Sequence, residues 1–151
     1  MCAEPIRFAE DGSIPEVVQT TQGAGAPIAA SHLLPAHLAC ELVGNVRIAG
    51  DDACAHVLAL TEMHHGDAAT YRYLSFAGEN RFALTLRADA NCRVELYLDG
   101  KYHTDFKVTA SDTFTTAIAQ IPPIHGTHEL TVKLFGRFTS AAVDAFRFFT
   151  E

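Results

Sequence analysis

Four kinds of side chain in this 151-residue sequence could do chemistry: carboxylates, histidines, cysteines and aromatic rings. Glycosidic hydrolysis needs two carboxylates facing each other across a cleft, about 5–9.5 Å apart depending on mechanism. The acids here do not suggest that arrangement. Asp51, Asp52 and Glu79 fall in predicted loops, Asp99 and Asp112 in turn signals, and Glu95 and Glu129 on outward strand positions where solvated charge is expected. Among the 8 histidines, His64-His65 and the pair His125 and His128 invite a metal reading. Neighbouring strand residues point to opposite faces, so His64 and His65 would share an ion only from a loop. His125 and His128 flank a turn and lack the downstream carboxylate and second histidine pair that would complete a transition-metal set, so ordinary surface and loop histidine is expected. Cys2, Cys40, Cys54 and Cys92 have neither CxxC nor zinc-ligand spacing and are read as free thiols, with at most one pair close enough to bridge. No Trp and 4 Tyr make thin stock for a surface that stacks on sugar rings.

The elements that must position these groups are strands. From about residue 37 the pattern predicts His37–Val43, Val46–Ala49, Ala55–Leu60, Thr70–Phe76, Arg81–Ala88, Arg93–Leu98, Asp105–Val108, Thr113–Ile121, His128–Phe135 and Val143–Phe149, separated by turn signals at the spacing of a sandwich or barrel. Phe82, Leu84 and Leu86 alternate with Arg81, Ala83, Thr85 and Arg87; Val94, Leu96 and Leu98 with Arg93, Glu95 and Tyr97; Leu130, Val132 and Leu134 with Glu129, Thr131 and Lys133. Such alternation marks antiparallel strands buried on one face. Asp89-Ala90-Asn91 and Asp99-Gly100 supply hairpin turns. No stretch has convincing helical periodicity with caps. The expected fold is an all-β antiparallel sandwich of jelly-roll type.

Residues 1–36 read differently, as an extended arm or linker punctuated by Asp11-Gly12-Ser13 and Gln22-Gly23-Ala24-Gly25-Ala26-Pro27. The sandwich would occupy residues 37–151. With 11 Lys+Arg against 18 Asp+Glu the net charge is −7, which disfavours nucleic acid, since phosphate binding needs a clustered basic footprint. No apolar run is long enough to span a bilayer, and the N-terminus lacks the basic and apolar regions of a signal peptide, so a cytoplasmic location is expected if the chain is complete.

The order of features from Glu41 to Phe149 resembles the family 6 carbohydrate-binding modules attached to plant-polysaccharide hydrolases. Four segments carry the likeness: Leu38-Ala39-Cys40-Glu41; the Gly-Asp-led run His65-Gly66-Asp67-Ala68-Ala69-Thr70-Tyr71-Arg72-Tyr73-Leu74-Ser75-Phe76; the hairpin from Leu84-Thr85-Leu86-Arg87-Ala88 to Val94-Glu95-Leu96-Tyr97-Leu98-Asp99-Gly100; and Gly126-Thr127-His128-Glu129-Leu130 leading to Leu134-Phe135-Gly136 and Val143-Asp144-Ala145-Phe146-Arg147-Phe148. In the arm, Phe8-Ala9-Glu10-Asp11-Gly12-Ser13-Ile14-Pro15-Glu16-Val17 and Thr20-Thr21-Gln22-Gly23 resemble the segment that leaves a family 43 glycoside hydrolase catalytic domain, a five-bladed propeller acting on xylosides and arabinosides.

The resemblance implies a non-catalytic module that tethers xylan or arabinan for a xylosidase- or arabinofuranosidase-like enzyme, with an oligo- or polysaccharide and a catalytic domain in cis as partners. The alternatives are a support domain packed on the catalytic domain without sugar affinity, and a small independent jelly-roll enzyme. The resembled modules hold a structural calcium between the first strand's acid and a late aspartate, places taken here by Glu41 and Asp144; oxygen ligands suit that ion. They grip sugars with two aromatic rings at the loop end and an Asn two residues before the late aspartate. Here that Asn is Ala142, the loop Asp51–Met63 has no aromatic residue, and Phe114 is the counterpart of the family's loop Trp. Other sugar contacts would come from the concave sheet face, through Tyr71, Tyr73, Tyr97, Tyr102, Arg72 and Glu95. Tyr71 and Tyr73 share a strand face and are expected to fill the core, leaving Tyr97 and Tyr102 as exposed rings.

Overall fold

The computed structural model describes residues 3–151; Met1 and Cys2 lie outside the described residues. Ten strands form one hydrogen-bonded array: β1 Ile28–Ala29, β2 Leu34–Pro35, β3 Glu41–Val43, β4 Arg47–Gly50, β5 Leu58–Met63, β6 Ala68–Ala88, β7 Cys92–Leu98, β8 Lys101–Val108, β9 Ser111–Gly136 and β10 Ala141–Phe149. The long strands β6 and β9 pair antiparallel along their length and serve two layers. In one layer the end of β6 lies between β10 and the start of β9, with β5 and β4 beyond β10. In the other, the start of β6 pairs with β3 and with the end of β9, which carries β7 and then β8.

The alternating aliphatics fill the space between the layers. Phe82, Leu84, Leu86, Val94, Leu96, Leu130, Val132 and Leu134 belong to one buried cluster. Aromatic pairs cross it, with Tyr71 on Phe146 at 4.7 Å and Phe82 on Phe106 at 5.7 Å between ring centroids. Each such side chain contributes about 1.5–3 kcal/mol through burial. The expected all-β sandwich is therefore the observed one.

The strands differ from the sequence expectation where turn signals act as bulges. Thr70–Phe76 and Arg81–Ala88 join through Gly78, whose φ of 110° a side chain would resist, and Thr113–Ile121 joins His128–Phe135 through Pro122-Pro123 and Gly126. The register slips on both sides of Glu79, bending each strand from one layer into the other. The predicted strand His37–Val43 divides into a 3₁₀ turn at Ala36–Leu38 and β3.

The arm is stitched to the sandwich from about residue 19 onward. Arg72 N–H donates to Thr21 Oγ1 at 2.9 Å, Tyr73 N–H to Gln22 Oε1 at 2.7 Å, and β1 pairs parallel with β6 at Leu74 and Ser75. Ala30, Leu34 and Ala36 are buried in the common core, so the packing of the sandwich begins inside the stretch read as arm. Ile6, Phe8, Ile14, Val17 and Val18 stay exposed.

Candidate functional site

Strand register builds a polar groove on the outer face of the β3-β6-β9-β7-β8 layer. One row across it is Glu41, Thr70, Thr131, Tyr97 and Tyr102, each a register partner of the next; the neighbouring row is Val43, Ala68, Lys133, Glu95 and Asp105. Because side chains alternate faces, Tyr71, Leu130, Val132 and Leu96 between them enter the core. The groove encloses about 380 Å³.

Its polar groups are already organised. Arg72 Nε donates to Glu129 Oε2 and its terminal nitrogen to Glu41 Oε2, both at 2.5 Å. The bond to Glu129 first, and that to Glu41 after it, push this guanidinium further from deprotonation. Thr70 and Thr131 share a hydroxyl–hydroxyl bond of 2.9 Å. Tyr97 O–H donates to Glu95 Oε2 at 2.7 Å, which raises the phenol's pKa, and Tyr102 meets it edge to face with centroids 5.8 Å apart. Lys133 Nζ stands 4.5 Å from the centre of the Tyr97 ring.

The Asp99-Gly100 turn forms the rim. His128 Nδ1 lies 2.6 Å from Asp99 Oδ2 and Nε2 2.8 Å from the His125 carbonyl oxygen. Both ring nitrogens face acceptors, so satisfying both requires the imidazolium. The bond to Asp99 accordingly raises the His128 pKa.

Several sequence expectations are corrected here. Glu95 is buried rather than solvated, because Arg93 at 2.6 Å and the Tyr97 hydroxyl neutralise and satisfy it. Glu79 lies in β6, buried, and accepts the Ala77 N–H. Tyr71 and Tyr73 do not share a face: the register slips between Tyr71 and Leu74, leaving Tyr71 1% and Tyr73 39% exposed. Tyr71 is the core residue, its hydroxyl donating to the Ala36 carbonyl at 2.8 Å. Tyr102 is an exposed ring, Tyr97 a half-buried one. Cys40, Cys54 and Cys92 are free thiols.

The loop end of the sandwich holds Phe114, but its ring is covered. The Arg87 guanidinium carbon lies 5.3 Å from the ring centroid, and Arg87 is anchored to Asp51 at 2.6 Å. Asp51's side chain is only 9% exposed, so its charge is not freely given up to water. Ala142 is buried at the wall of the shallow hollow there.

Glu41 and Asp144 do not come together as the sequence reading expected. That reading supposed that the first and last strands pair; instead β3 pairs with β6, while β10 takes β2, β5 and β6. Glu41 is matched by Arg72. Asp144, 3% exposed, accepts His56 Nδ1 at 2.8 Å and the Ala55 N–H at 3.3 Å. Among the described residues no three metal-ligating side chains gather. With a basic partner already on each carboxylate and Ala39 offering no oxygen, the donors do not fit a calcium cage.

Neither a protein-family model nor a curated protein matches the sequence. Solved structures do match its fold. A family 6 carbohydrate-binding module from Clostridium stercorarium, in complex with cellobiose, superposes with a TM-score of 0.74 at 18% identity over 85% of this chain and 100% of that one. A family 43 arabinoxylan arabinofuranohydrolase from Bacillus subtilis, in complex with cellotetraose, gives 0.76 at 17% identity, covering 98% of this chain and 33% of the enzyme. A family 36 module in complex with calcium and xylotriose gives 0.59 at 18% identity over 78% of this chain and 98% of that one. The fold is thus that of the family 6 carbohydrate-binding modules, as the sequence resemblance implied.

Proposed function

We propose that this chain is a non-catalytic saccharide-binding module that binds its ligand in the groove on the β3-β6-β9-β7-β8 face and tethers xylan- or arabinan-type polymers for a linked xylosidase- or arabinofuranosidase-like domain. The observation that carries the reading is the juxtaposition, across three strands, of the Tyr97 ring with the Thr70–Thr131 hydroxyls and the Arg72–Glu129 pair. A pyranose presents apolar C–H groups on its face and hydroxyls around its edge; an aromatic ring beside fixed donors and acceptors meets both. Tethering raises local enzyme concentration without adding chemistry. Binding modules among the structural neighbours support the non-catalytic role. Calcium has no part in this reading, since Arg72 and His56 already serve the two carboxylates.

Calorimetric titration with xylo-, arabino- and gluco-oligosaccharides tests it. Saturable heat whose affinity drops in Tyr97→Ala supports the groove; no heat with any of these sugars sinks it.

A second reading, a support domain for a catalytic domain in cis, is favoured by two separate observations. Ile6, Phe8, Ile14, Val17 and Val18 are exposed on a segment stitched to the sandwich at its far end, and the match to the family 43 enzyme extends over 98% of the chain where the isolated module reaches 85%. Five exposed apolar side chains on one segment are surface that a docked domain would cover. Mixing with a family 43 catalytic domain would then give a complex that Phe8→Asp weakens.

A further inference from the structure

Taking the groove as the saccharide site, we infer that it is built for an acidic saccharide, with a uronate carboxylate received by Lys133 while the sugar ring lies on Tyr97. Of the two cations lining the groove, Arg72 spends two nitrogens on Glu129 and Glu41. Lys133 has no carboxylate at salt-bridge distance among the described residues. Its register partner on β7, Glu95, is turned to Arg93 and the Tyr97 hydroxyl instead. The ammonium therefore rests on the Tyr97 ring.

That placement makes the ring and the cation compete. A neutral sugar stacking on the occupied face of Tyr97 displaces the ammonium and offers it only hydroxyls, so the cation–π contact is lost without a charge in return. A uronate takes the same face and brings a carboxylate to the displaced ammonium, a charge-assisted pair. The groove's own carboxylates do not cancel this. Glu95, beside Lys133 on β7, is matched by Arg93 at 2.6 Å, and Glu129 lies four residues from Lys133 along β9, about 13 Å at strand rise, beyond the screening length of about 8 Å at physiological salt. Arg72 bridges Glu129 to Glu41. The chain's net charge of −7 opposes any anion at long range, and the same screening limits it.

Xylotetraose and the same oligomer bearing one glucuronosyl branch, titrated side by side into the folded chain, test the inference. The branched oligomer should bind about three- to tenfold more tightly at low ionic strength, with the gap closing towards 1 M salt. Lys133→Gln should erase the gap while Lys133→Arg keeps it, both variants melting with the parent. Equal affinity for the two sugars, or a gap that survives Lys133→Gln, overturns the inference and leaves the groove standing. No binding of either sugar overturns the groove reading and this one with it.

Discussion

Of the four aromatic rings that carry a cation on their face among the described residues, Phe114 at the loop end and Tyr97 in the groove differ in what holds the cation there. At the loop end Arg87 covers Phe114 and is pinned by Asp51, a carboxylate almost shut off from water. In the groove Lys133 covers Tyr97 with no carboxylate of its own among the described residues. A ligand that takes Phe114 must break a charge-assisted pair and leave Asp51 poorly solvated, whereas one that takes Tyr97 need only move a flexible ammonium. The loop end has in effect become its own ligand. The groove has kept an aromatic face that can be vacated.

The comparison breaks first at Tyr97. Tyr97→Ala should weaken oligosaccharide binding about thirtyfold, the equivalent of roughly 2 kcal/mol of lost ring contact, while Phe114→Ala leaves affinity unchanged. Titration of both variants with one sugar would show whether the assignment of the two sites is reversed.

The next effect is on stability. His56→Ala removes the imidazole that hydrogen-bonds Asp144 and leaves a buried carboxylate with one weak amide donor. A cost of about 1–3 kcal/mol is expected, or a fall of several degrees in melting temperature at about 2–4 °C per kcal/mol. A melting point unchanged by the substitution would show that the pair contributes nothing.

A smaller effect sharpens the description of the groove's rim. Folding raises the His128 pKa above its ordinary 6.5 through Asp99. The stabilisation is complete below the unfolded value and is lost as pH rises through the raised folded value, because between the two the folded state holds a proton that the unfolded state has already released. Melting temperature should therefore decline through and above neutrality, and His128→Gln should flatten that slope.

The smallest expected effect is of calcium. Adding the ion or a chelator should leave the melting curve in place, since Glu41 and Asp144 are matched by Arg72 and His56. A rise of several degrees with calcium would contradict the fit described for these carboxylates.

What the sequence made legible follows from the reach of each interaction. Alternation along a strand is local, so the core positions Phe82, Leu84, Leu86, Leu130, Val132 and Leu134 could be read directly. The Arg93, Glu95 and Tyr97 cluster was readable in principle: the three share one face of β7 at two-residue spacing, and their mutual bonding is what lets Glu95 be buried. The groove was not. Arg72 meets Glu41 and Glu129 across 31 and 57 residues of sequence, and Thr70 meets Thr131 across 61. Such partners are fixed only by which strands pair and in which register, and a slip of one residue changes the face, as Tyr73 shows. Pairing likewise decided against Glu41 and Asp144, whose strands were expected to meet and do not.

The most direct test of where saccharide binds is an amide chemical-shift titration of the folded chain with xylo-oligosaccharide. Perturbations are predicted at Thr70, Tyr97, Thr131 and Lys133, with Arg87, Phe114 and Ala142 unmoved. Shifts confined to Arg87, Phe114 and Ala142 would place the ligand at the loop end and contradict the account.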